Sequence, residues 1–117
     1  MSDLVESQII FYTSPEGASK IDVIMQDETF WLSQKRMAEV FDVDVRTISE
    51  HIQEIYKSEE LRRDGTIRKF RIVQKEGNRD VNREIDFYNL DMIISVGYRV
   101  NSQKATRFRI WATSTLK

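Results

Sequence analysis

Two short apolar stripes of helical period, separated by only three residues, constrain this chain most. Met37, Val40 and Phe41 form the first stripe, and Val45, Ile48, Ile52 and Ile55 form the second. Asp42-Val43-Asp44 stands between them. Helices joined so tightly cross steeply, so the first must present a small side chain where the second passes, and Ala38 meets that need. Val43 is expected to plug the turn, and Ile48 and Ile52 to pin the second helix against Met37 and Phe41. The glycine usual in such a turn is replaced by Asp42, one of the few residues that tolerate a left-handed backbone. Ser33 is the expected N-cap, with Leu32 and Met37 spaced as a hydrophobic staple. A helix-turn-helix is therefore predicted over residues 33–56.

A helix-turn-helix can present the start of its second helix to the DNA major groove. Arg46 is then the candidate for a bidentate contact to guanine, and Gln53 for adenine. Thr47 and Ser49 suit phosphate or base hydrogen bonds. Asp42, Asp44, Glu50 and Glu54 act against this by putting negative charge near the same surface.

Compensating charge lies further along. Residues 1–60 hold 13 acids and 5 bases, whereas residues 61–117 hold 6 acids and 13 bases. Arg62, Arg63, Arg68, Lys69, Arg71, Lys75 and Arg79 fall close together, in a segment whose alternating pattern reads as strand. Val81, Ile85 and Phe87 alternate with Asn82, Glu84 and Asp86 in the return strand. With Gly77-Asn78 as positive-φ residues at the tip, a hairpin is predicted over residues 66–88. A basic hairpin after a helix-turn-helix has the order of a winged helix, and Arg68, Lys69, Arg71 and Arg79 are its candidate DNA contacts. The same charges could instead protect a sheet edge.

Upstream, Gln8–Ser14 and Ser19–Met25 flank Ser14-Pro15-Glu16-Gly17 and read as an N-terminal β-hairpin. The segment Phe30–Ser33 is read as leading directly into the first helix. Downstream, Asn89 caps an expected helix from Leu90 to about Val100, with Leu90, Ile93, Ile94 and Tyr98 inward. Ser102 is the expected cap of a last helix carrying Ala105, Phe108, Trp111 and Ala112. These two closing helices span residues 89–116, so the fold class is α+β.

Composition narrows the chemistry. The chain has 117 residues, no cysteine and a single histidine, so neither a disulfide framework nor a structural zinc site is expected. No glycine-rich phosphate loop or catalytic constellation is present, and His51 reads as a helix-surface or packing residue. No catalytic residue, metal or small-molecule cofactor is therefore expected, and the chain is read as a non-enzyme. Met1–Gln8 lacks the basic start of a signal peptide, and no apolar run approaches a membrane span. A cytoplasmic location follows as an expectation.

The C-terminal motifs carry a family resemblance. Tyr88-Asn89-Leu90-Asp91, Gly97-Tyr98-Arg99-Val100 and Ala105-Thr106-Arg107-Phe108-Arg109-Ile110-Trp111-Ala112 resemble the RhuM family of bacterial virulence-associated proteins, as does Gln74–Arg83. The resemblance is read from about Ile9 to the end. Members usually continue further, which implies that this segment is the N-terminal part of a longer virulence- or phage-associated protein. The last two helices are also similar to the N-terminal domains of phage and baculovirus Bro proteins, which implies DNA binding.

The expectation is therefore that residues 1–117 form a single module for double-stranded DNA, with a homodimer the usual state of helix-turn-helix proteins that read palindromes. The alternatives are a protein-interaction domain that keeps the helix-turn-helix shape, or an accessory to a toxin or enzyme region elsewhere.

Overall fold

In the computed structural model, residues 8–14 and 20–116 are described. Nine elements follow one another: β1 (Gln8–Thr13), β2 (Lys20–Gln26), β3 (Thr29–Ser33), α1 (Gln34–Phe41), α2 (Val45–Lys57), β4 (Ile67–Glu76), β5 (Arg79–Asn89), α3 (Leu90–Val100) and α4 (Ser102–Thr115). The α+β class and both hairpins are as the sequence predicts, although residues 15–19 of the first turn lie outside the described residues.

The strands form one antiparallel sheet in the order β1-β2-β3-β5-β4. The basic hairpin is therefore not a separate wing. It joins the N-terminal strands through β3, whose Leu32 pairs with Tyr88. Sequence reasoning missed β3 for two physical reasons. Its turn is Asp27-Glu28, both left-handed at φ 57 and 60, without the glycine that usually marks such a two-residue turn. Its side chains also lack alternating exposure, because both sheet faces are covered there: Phe30, Trp31 and Leu32 are all buried.

Phe30 and Leu32 point to the helices with Ile21, Val23 and Tyr88, and form the main core with Met37, Phe41, Ile48, Ile93 and Phe108. Trp31 lies on the opposite face. There it meets Phe70 edge-on at 5.9 Å, and Phe70 meets Phe87 at 5.1 Å. Arg68 covers Trp31 with its guanidinium 4.5 Å from the ring centroid. The indole N–H donates to the Gln26 carbonyl at 3.1 Å. This second apolar cluster attaches the β4–β5 hairpin to the rest of the sheet.

Three details of the closing helices differ from the sequence expectation. Asn101, rather than Ser102, caps α4, its Oδ1 accepting from the Lys104 N–H at 3.2 Å. Tyr98 is exposed, and its hydroxyl bonds Thr106 and Arg109 at the surface. Ile93 is buried and Leu90 and Ile94 pack partly buried against the core as expected, but Met92, Val96 and Gly97 complete the inward face of α3. Gly97 is needed there for close approach: a Cβ would stand 2.6 Å from the Phe41 ring and 2.8 Å from the Ala105 Cβ. Asn89 caps α3 as expected, accepting from the Met92 N–H at 3.2 Å. Among the described residues, no helix is long and apolar enough to cross a membrane.

Candidate nucleic-acid interface

The α1–α2 pair forms as its sequence requires. The Ser33 hydroxyl accepts from the Arg36 N–H at 3.2 Å, while Leu32 and Met37 are both fully buried. α1 ends at Asp42, which is left-handed at φ 58 and donates its N–H to the Ala38 carbonyl. The Val43 N–H reaches the same carbonyl at 3.1 Å, closing the turn. Asp44 then caps α2, its Oδ1 accepting from the Thr47 N–H at 2.8 Å. Hydrogen bonds from the Thr47 backbone and side chain hold the Asp44 carboxyl below its ordinary value, with a smaller contribution from Arg46. From sequence Asp44 was visible only as a repulsive charge near the interface; it also starts the helix.

α2 buries Ile48, Ile52 and Ile55. Its opposite side presents Arg46, Glu50, Gln53 and Lys57 to solvent, with Ser49 and Thr47 half-buried beside them. Val45, expected on the apolar stripe, is instead 43% exposed at the start of the helix. Gln53 donates to the Ser49 hydroxyl at 3.4 Å, so these two candidate contacts adjoin. Arg46 makes no ion pair among the described residues. His51 Nδ1 lies 3.4 Å from Glu54 Oε1, which is an ion pair only when the imidazole is protonated.

The far end of α2 is tied to the hairpin and to α3. The Tyr56 hydroxyl bonds the buried Thr66 hydroxyl at 2.8 Å, just before β4. Arg63 stacks on the Tyr56 ring at 4.6 Å. Glu60 pairs with Arg99 at 2.7 Å and accepts from Ser95 at 3.3 Å. The Arg99 hydrogen bond holds the Glu60 carboxyl below its ordinary range. Helix and hairpin therefore have a fixed connection at Thr66, although α2 packs chiefly on α1 and α3 rather than on the sheet.

Most of the hairpin's cations are paired with acids. Lys69 stands opposite Asp86 in the register, with Nζ 2.8 Å from the carboxylate, and this hydrogen bond raises the ammonium above its ordinary value. Arg71 stands opposite Glu84 at 3.5 Å, and Arg83 binds Glu76 at 2.7 Å. Arg68 is different from these exposed pairs. It bonds Asp27 at 2.7 Å and Gln26 while stacked on Trp31, so it fastens β4 to the β2–β3 turn. Lys69 and Arg71 lie on the same sheet face as Tyr88, the helix side, and Arg68 lies on the other. Arg79 is exposed at the hairpin tip with no ion pair among the described residues. At that tip Gly77 alone has positive φ, at 63°; Asn78 does not share it.

β2 and β5 both run antiparallel to β3, so their earlier residues project past Ser33, where β3 ends. A notch of about 700 Å³ opens there between Ile24 of one hairpin and Ile72 and Ile85 of the other, with Lys35 and Arg36 at its base. Sequence reasoning missed Lys35 and Arg36 because their position depends on the unrecognised β3. Arg36 pairs with Glu39 at 3.1 Å.

These elements define an α+β protein in which four helices and a five-stranded antiparallel sheet place α2 near a charged hairpin. Residues 65–117, a little under half of the chain, match the model of the Virulence protein RhuM family. The match covers β4, β5, α3 and α4 but begins after α1 and α2, so it is shorter than the resemblance read from about Ile9. No curated protein and no solved structure is matched.

Proposed function

We propose that this chain is a double-stranded DNA-binding module, in which α2 enters the major groove and the β4–β5 hairpin holds neighbouring phosphates in the manner of a wing. The observation that carries the reading is the division of α2: Ile48, Ile52 and Ile55 are buried while Arg46, Gln53 and Lys57 remain exposed. Such a helix is rigidly held yet has side chains free to meet base edges. Arg46 reads guanine, Gln53 reads adenine, and Thr47 and Ser49 contribute hydrogen bonds near the start of the helix. Lys69, Arg71 and Arg79 supply phosphate contacts, the first two by exchanging exposed carboxylate partners for phosphate. Exposed pairs are worth little in water, so this exchange is inexpensive. Arg68 acts mainly by holding the hairpin in place. The role is binding rather than catalysis.

Fluorescence anisotropy of a labelled random duplex, titrated with salt, tests the proposal. Binding near 50 mM salt that weakens linearly on a logarithmic salt axis is expected. Arg46→Ala should weaken it, and absence of affinity at low salt would remove the proposal. A second reading, a protein-interaction domain of the same shape, is favoured by the carboxylates that already neutralise Lys69, Arg71 and Arg83. That reading expects no duplex affinity under the same conditions.

A further inference from the structure

The two edges of the sheet are unlike. β4 forms one edge and carries Arg68, Lys69, Arg71 and Lys75 along its length. Charged side chains of this kind discourage pairing with another strand. β1 forms the other edge, and its sequence Gln8-Ile9-Ile10-Phe11-Tyr12-Thr13 has no charge, proline or glycine. Among the described residues β2 is its only strand neighbour. Ile9 and Phe11 lie on the sheet face away from the helices and are 64% and 50% exposed. Lys20 covers part of the Phe11 ring, with Nζ 4.5 Å from the centroid.

We propose that β1 is a dimerisation edge that pairs antiparallel with β1 of a second copy, about a two-fold axis at Ile10. Self-complementarity points to a second copy as the occupant. Residues directly opposite in an antiparallel pair share a face. Centring the pair on Ile10 therefore sets Ile9 against the partner's Phe11, and Phe11 against the partner's Ile9. Both exposed apolar side chains then gain an aromatic–aliphatic cross-strand contact, of the type that stabilises sheets. No like charges meet within the paired strands. The operation joins two five-stranded sheets and leaves both helical layers on one side, where two copies of α2 are related by the same axis. That arrangement suits a symmetric ligand, but the pairing itself does not depend on DNA binding.

Six residues at about 3.4 Å each give an edge of roughly 20 Å, so the dimer is expected to be weak and to dissociate on dilution. Sedimentation velocity without DNA should show a monomer–dimer equilibrium that moves with protein concentration. The double variant Ile9→Lys/Phe11→Lys should remain monomeric, with unchanged far-UV circular dichroism because both positions are exposed. The chain has no cysteine, so oxidation of Ile9→Cys/Phe11→Cys should yield a cross-linked dimer against a clean background. Phe11→Cys alone should not, since Phe11 does not face itself in this register. A monomer at every concentration, or a lysine variant that dimerises as well as the parent, would overturn the proposal. Efficient cross-linking by Phe11→Cys alone would overturn the Ile10-centred register. These measurements contain no nucleic acid, so their failure is distinct from failure of the DNA-binding reading.

Discussion

Along α2, Arg46 and Lys57 stand exposed and make no ion pair among the described residues, although acids surround them in sequence. In the β4–β5 hairpin the order is reversed: cations are plentiful, but Lys69, Arg71 and Arg83 each bind a carboxylate. The hairpin is the richer in positive charge by count, but much of that charge already meets a carboxylate, whereas both cations of α2 lack an ion pair among the described residues. Charge summed along a sequence therefore differs from charge offered to a ligand. Strand register determines the difference, because it sets Lys69 opposite Asp86 and Arg71 opposite Glu84.

The sharpest way to separate these regions is to detach one of them. Trp31→Ala removes the ring that packs against Phe70 and carries Arg68, and should destabilise the protein by about 3–5 kcal/mol in urea unfolding. Loss of amide protection in β4 and β5 should exceed that in α2; equal losses would mean that the two regions unfold as one. Ile52→Ala acts from the other side. It empties a buried position of α2 and should cost about 2–5 kcal/mol by the same measurement. A change near zero would show that α2 is not held by this face.

Charge reversal gives a smaller effect on stability and a larger one on binding. Lys69→Glu/Arg71→Glu breaks two exposed pairs, so the melting temperature should change little. The salt dependence of duplex binding should flatten by about 0.9 in logarithmic slope for each phosphate that the hairpin no longer neutralises. An unchanged slope would assign these cations to the sheet alone.

The smallest effect concerns the start of α2. Asp44 has a folded-state pKa below its ordinary 3.8, so its cap contributes fully above that value and is lost as pH falls through the lowered one. Asp44→Asn retains a neutral cap. The melting-temperature advantage of the parent over this variant should therefore shrink on acidification. An advantage that stays constant through that range would separate the cap from the carboxylate charge.

Local chemistry made much of this legible. Ser33, Asp42 and Asn89 declare their backbone roles through side-chain oxygens or tolerance of positive φ, and the buried isoleucines of α2 declare theirs through spacing. The single sheet was not legible, because β3 hides behind a turn without glycine and has both faces covered. Without β3, nothing in the sequence could bring Trp31 onto Phe70, or the two hairpins to either side of the notch. Candidate contacts such as Arg46 could be placed on a helix face from periodicity. The pairing of Lys69 and Arg71 required the cross-strand register, and Arg68 required the Asp27-Glu28 turn.

On the proposed function, the polar side of α2 and the outer part of the hairpin receive one duplex together. Backbone amide shifts of the labelled protein, followed by NMR while a random duplex is added at low salt, test this most directly. Coordinated shifts are expected from Val45 to Gln53 and from Lys69 to Arg79, with the buried strand β3 little affected. Shifts confined to one region would contradict a shared surface, and none in either would contradict DNA binding itself.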